Sequence, residues 1–104
     1  MPKMEYTLNW AERAIANLKS AEGYMAKKSP PYAKKVINEL IDHAENLKTF
    51  PLMGSVVSEL LDMELRQLVK HSYRIIYAFE DNVVTVIAVV HSKQDMVAQL
   101  VKEP

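Results

Sequence analysis

The chain has 104 residues, 49% of them hydrophobic, and its thirteen lysines and arginines balance thirteen aspartates and glutamates; this suits one ordinary globular domain over 1–104 and excludes intrinsic disorder. Cysteine is absent, which excludes disulfide frameworks, thiolate nucleophiles and cysteine-based metal centres. No apolar run approaches the ~20 residues that span a bilayer, and "MPKMEYTLNWAER" lacks the apolar core of a signal peptide, so a cytoplasmic protein without membrane contact is expected. Neutrality also argues against a protein that works by broad attraction to nucleic acid. The balance is uneven: residues 1–50 hold eight cations and six acids, and residues 51–104 hold five and seven. Any nucleic-acid role must therefore rest on a small local patch.

In chain order, "KMEYTLNW" mixes β-branched and aromatic residues with polar ones and predicts a short strand over residues 4–8. Asn9 then stands as an N-cap with Glu12 three residues on, the spacing of a capping box. The helix that follows places Ala11, Ala14, Ile15, Leu18 and Met25 at three- and four-residue intervals, with Arg13, Asn17 and Lys19 opposite; Gly23 weakens its later turns. "KKSPPY" breaks it, because proline removes amide donors and biases its predecessor away from helix. A second helix carries an unbroken stripe of Ala33, Val36, Ile37, Leu40, Ile41, Ala44 and Leu47. The two helices make an antiparallel hairpin with a shared apolar side.

"FPLMGS" ends the helical half. From there the period changes from 3.6 to 2, and strands are predicted over 63–70, 73–80 and 83–91, joined by hairpin breaks at "HS" and "DN". The last of these, "VVTVIAVV", is apolar on both faces and therefore reads as central or covered twice. A tail with Met96, Leu100 and Val101 as contacts closes the chain. The order β-α-α-β-β-β gives an α+β, two-layer fold, with the helix hairpin on one face of a small, mainly antiparallel sheet and the other face bare.

Three cations interrupt the apolar strands: Arg66, Arg74 and His91. Alternation puts Tyr73, Ile75, Tyr77 and Phe79 toward the helices and Arg74 on the open side. Arg66 and His91 join Arg74 there if the registers permit. As solvated sheet residues they pair with Glu64 or Glu80 and contribute ~0 to 1 kcal/mol each. As a working set, two arginines that hold a phosphate and one histidine that exchanges a proton are a minimal kit for cleaving RNA. His43 and His71 read as solvated, no metal-ligand spacing joins the histidines, and no cofactor motif is present. Trp10, Tyr24 and Tyr32 flank helix ends, where aromatics pack as lids on a core.

The segments "YTLNWAERAIANL", "PPYAKKVINELIDHAENLKTFPLMG" and "ELRQLVKHSYRIIYAFEDNVVTVIAVVHS" resemble the RelE/ParE superfamily of type II toxin-antitoxin toxins. The most specific parts are Leu65 to Leu68, Tyr73 to Tyr77 and Val89 to His91. The resemblance implies a growth-arresting toxin neutralised by a cognate antitoxin, in a toxin-antitoxin hetero-oligomer. In one branch the target is the ribosome with its mRNA, cut by a metal-independent endoribonuclease, for which Arg66, Arg74 and His91 would be the catalytic set. In the other it is DNA gyrase, inhibited by binding. Several of the nucleases carry a tyrosine near the C-terminus and are markedly basic; here no tyrosine follows Tyr77 and the chain is neutral. The ParE-like branch more often ends its last strand with a histidine and a polar segment, as "VVHSKQD" does, so a ParE-like plasmid-stabilisation toxin is the leading expectation. The ribosomal endonuclease is the alternative, and an inert antitoxin-binding relative is a third reading.

Overall fold

The computed structural model describes residues 5–57 and 64–93. In chain order it contains β1 (Thr7–Trp10), α1 (Glu12–Ala26), α2 (Pro30–Glu45), a single 3₁₀ turn (Asn46–Lys48), β2 (Ser55–Val56), β3 (Arg66–Lys70), β4 (Tyr73–Glu80) and β5 (Val83–His91). The sheet runs β1-β5-β4-β3-β2; β1 lies parallel to β5 and every other pair is antiparallel. The α+β architecture of two helices on an open sheet is therefore the expected one, with the short edge strand β2 in addition. Met4, Met63 and the tail residues Met96, Leu100 and Val101 lie outside the described residues.

Helix α1 starts later than the capping-box reading predicts. Asn9 belongs to β1, paired with Thr85, and the N-cap is Ala11, which makes no side-chain cap bond. The parallel ladder outcompetes the cap here: it continues to Trp10 opposite Val86, and the Ala11 amide donates to the Val86 carbonyl at 2.9 Å. Once begun, the helix runs through Gly23 to Ala26, setting Ala14, Leu18, Ala21 and Met25 against the core. Ile15, expected on that stripe, is 42% exposed. Helix α2 is capped by Ser29, whose hydroxyl accepts from the Tyr32 amide at 3.3 Å, and begins on two prolines, whose missing amides would be unsatisfied there anyway. Its stripe is buried as the spacing predicts except at Ile41, which is half-buried; Leu40 and Ala44 are completely enclosed, as is Leu47 in the 3₁₀ turn that follows.

The hairpin turns are His71–Ser72 and Asp81–Asn82, and all four residues have positive φ, between 52° and 66°. Two consecutive left-handed residues are the type I′ geometry that matches strand twist, and aspartate and asparagine tolerate it best among non-glycine residues. One irregularity decides what β5 presents: Ile76 faces Ala88 but Tyr77 faces Val86, so Ile87 is an extra, bulged residue.

The main core lies between the helices and the sheet, built on Val36, Leu40, Ile75, Tyr77, Val84 and Val86. The other sheet face is not bare, and this corrects the expectation of an open capture surface. Leu65, Ile76, Ala78, Ala88 and Val90 form a second buried cluster there, with Val57 and Ile87 packed against it. The alternation in β4 is apolar on both sides, as in β5, and the second set is a core too.

Candidate functional site

The registers separate the three expected residues. Arg66 lies opposite Tyr77 and His91 opposite Tyr73, so both share the helix-side face of β4, whereas Arg74 lies opposite Val69 and Val90 on the other face. Tyr73 and Tyr77 stand four residues apart along β4, about 13 Å at ~3.3 Å per residue. Arg66 and His91 are thus at opposite ends of one face, and Arg74 is behind the sheet.

Arg66 is tied to the loop that leaves α2. Its Nη1 donates to the Gly54 carbonyl at 2.7 Å and the Leu52 carbonyl at 3.2 Å, and Nη2 meets the Glu64 carboxylate at 3.5 Å. Its Nε is buried with no acceptor among the described residues. The Tyr77 hydroxyl holds the same loop from beneath, donating to the Pro51 carbonyl at 2.8 Å and accepting from the Gly54 amide at 2.9 Å. Burial pushes the Tyr77 phenol above its ordinary pKa, against the Gly54 amide and the Arg66 charge, which lower it. A Cβ on Gly54 would stand 2.6 Å from the Gln67 carbonyl oxygen and 2.7 Å from the Tyr77 hydroxyl. Arg66, Gly54 and Tyr77 make a fastening that positions the 51–54 loop, where Leu52 and Met53 are exposed.

His91 closes a cavity of about 500 Å³ between the middle of α1 and the ends of β4 and β5, lined also by Asn17, Ser20, Tyr24, Tyr73 and Val89. Its Nδ1 accepts from the Lys93 amide at 3.1 Å, which places the proton of the neutral ring on Nε2. Its ring meets Tyr73 edge to face at 5.1 Å. The Tyr73 phenol is raised above its ordinary pKa, first by burial and then by the phenols of Tyr24 and Tyr32. Arg74 reaches the Ser92 carbonyl at 3.4 Å from behind.

Asn17 sits on the polar side of α1 in the sequence pattern, yet its side-chain oxygen accepts from the Val89 amide at 2.9 Å and pins the helix to β5 just past the bulge. The β1 ladder has ended at Trp10 opposite Val86, so a helix side chain serves β5 here, a need invisible in the helix pattern alone. Tyr24 and Tyr32, expected as lids, are 69% and 53% exposed. On the far side of the helices, His71 pairs with Glu39 at 2.5 Å, joining the β3–β4 turn to α2; this hydrogen bond is the main reason the Glu39 carboxyl lies below its ordinary pKa.

Chemically, the arrangement does not converge on one reacting phosphate among the described residues. It offers a fastened loop at one end of the helix-side face and an aromatic-lined cavity with a histidine at the other.

Comparison with known proteins places the fold. The "Chromosomal ParDE TA system from P. aeruginosa" superposes with a TM-score of 0.70 at 17% identity, covering 86% of this chain and 98% of the other. The toxin-antitoxin complex RelBE2 from Mycobacterium tuberculosis gives 0.62 at 22% identity over 84% and 98%. An arginine double mutant of the E. coli toxin RelE in the free state gives 0.58 at 22% identity over 86% of each chain. No curated protein matches the chain by sequence. The family described as the ParE toxin of type II toxin-antitoxin system, parDE, matches residues 8–96, which span every element of the fold from within β1 to beyond β5. The chain belongs to the ParE toxin family, within the RelE/ParE superfamily of type II toxin-antitoxin toxins.

Proposed function

We propose that this toxin arrests growth by inhibiting DNA gyrase and that a cognate antitoxin neutralises it by binding. The observation that carries the choice of target is the dispersal of Arg66, Arg74 and His91: an acid/base histidine and phosphate-holding arginines must meet around one scissile phosphate, and these three occupy two faces and two ends of the sheet. Arg66 is moreover engaged by two backbone carbonyls, so its guanidinium supports a loop. A protein-binding inhibitor needs no such convergence. It needs an exposed, firmly held surface, and the 51–54 loop with Leu52 and Met53 supplies one. That two of the fold's neighbours are toxin-antitoxin systems supports an antitoxin partner.

The test is supercoiling by purified gyrase titrated with the isolated chain. Inhibition at micromolar toxin, relieved by the antitoxin encoded beside it, is expected. Unimpaired supercoiling together with new 3′ ends in the ribosomal A site of messenger RNA would overturn the proposal in favour of the endonuclease.

A further inference from the structure

Charge in this neutral chain is concentrated. Residues 19–35 hold five lysines and one glutamate, a net of +4, so the other 87 residues carry −4. The fold brings this segment together as the tip of the helix hairpin. A groove of about 600 Å³ runs there between the last turns of α1 and the first of α2, with Lys19 on one wall, Lys34 on the other, and Gly23 and Pro31 along it. Nothing lies within 4 Å of where a Gly23 side chain would begin, so the groove is open at that point. Lys27 and Lys28 are exposed at its rim. Lys19, Lys27, Lys28 and Lys34 have no carboxylate within ion-pairing distance among the described residues, and Glu22 is the one acid lining the groove. Lys35 differs, since its field falls on Glu39.

From this geometry we infer that the hairpin tip docks on the phosphate backbone of duplex DNA. Lysines on two helices can reach phosphates on either side of the groove. The other described residues hold eight acids against six cations, so their field favours docking by the tip. The contacts carry no base readout, and binding is indifferent to sequence. The choice of DNA among polyanions rests on the gyrase reading, because a toxin held to the DNA that gyrase grips is concentrated at its target.

The test uses the full chain, a fluorescent DNA duplex of about 20 base pairs, and anisotropy across a salt series without gyrase. Four phosphate contacts predict a slope of log affinity against log salt of about −3.6, a loss of roughly two orders of magnitude between 50 and 200 mM. K19E/K34E should flatten that slope by about two and weaken binding at least tenfold. The matched pair K48E/K93E, equal in net charge but away from the groove, should bind like wild type. Absent binding at low salt, equal loss in both pairs, or preference for an RNA strand over the duplex would each overturn the inference. The gyrase proposal is read separately: if K19E/K34E loses DNA yet still inhibits supercoiling at higher toxin concentration, the target stands and the DNA contact is an aid to it. If the duplex binds as expected while gyrase is untouched, the surface stands and the target falls.

Discussion

At the scale of single residues, the fastening around Gly54 shows how a side chain's type can be legible while its task is not. In the sequence Gly54 is a helix terminator, Arg66 a loose cation and Tyr77 one of several core aromatics; in the structure the three hold one loop. Arg66's face follows from the two-residue turn at His71–Ser72, which sets Lys70 opposite Tyr73 and hence Arg66 opposite Tyr77. Its hydrogen bonds to carbonyls twelve and fourteen residues earlier have no local pattern to announce them. Tyr77→Phe leaves the Gly54 amide and Pro51 carbonyl without their buried partner, and a loss of about 1–3 kcal/mol in urea unfolding is expected. Gly54→Ala should destabilise as well, since its Cβ would press on backbone oxygen, which cannot swing aside. A wild-type midpoint in either variant would show that the loop is held by other means. The raised phenol of Tyr77 adds a pH dependence: stability is whole below the unfolded tyrosine value near 10 and declines as pH rises through the higher folded one.

At the scale of elements, α2 and β4 were readable because each follows a single period without interruption; β1 came later than expected (7–10 against 4–8), β3 begins at Arg66, and β5, whose ends agree, misled because its period breaks once. Val84 and Val86 face the helices; strict alternation would then send His91 to the side of Arg74, as a catalytic grouping requires. The bulge at Ile87 turns the rest of the strand over, so Val89 and His91 face the helices and Val90 faces away. In a run as uniformly apolar as "VVTVIAVV", an extra residue leaves no mark in the pattern. The turn between β3 and β4 carries a second long-range tie, His71 to Glu39 on α2. Because the Glu39 carboxyl is held below its usual value of 4.5, its contribution to stability is present above that value and is lost as pH falls through the lower, folded one. Melting temperature measured from pH 7 down to about 3 should therefore drop less steeply in Glu39→Gln than in wild type. Parallel curves would mean that this bridge does not tie the turn to the helix in solution.

At the scale of the whole molecule, the hydrophobic periodicity foretells the layer of helices and not the second core. The reason is physical: alternation tells which side chains share a face, but a mixed face with Arg74 and Glu80 among Ile76 and Ala78 does not reveal whether that face meets water. In the structure it is buried where it is apolar, for Ile76 and Val90 are 0% and 2% exposed, as enclosed as Ile75 and Val86 at 0% on the helix side. This can be tested by comparing neighbours of equal size on opposite faces of one strand. Truncating a buried isoleucine costs about 2–5 kcal/mol in lost transfer energy and residual cavity. Ile75→Ala and Ile76→Ala should then fall in that range together, measured by urea unfolding with an unchanged m-value. Were the second face a bare capture surface, Ile76→Ala would stay within about 0.5 kcal/mol of wild type, as exposed substitutions do. A partner would also dock there on apolar side chains that this structure keeps inside. Equal penalties for the two isoleucines would show the middle of the sheet to be core on both sides.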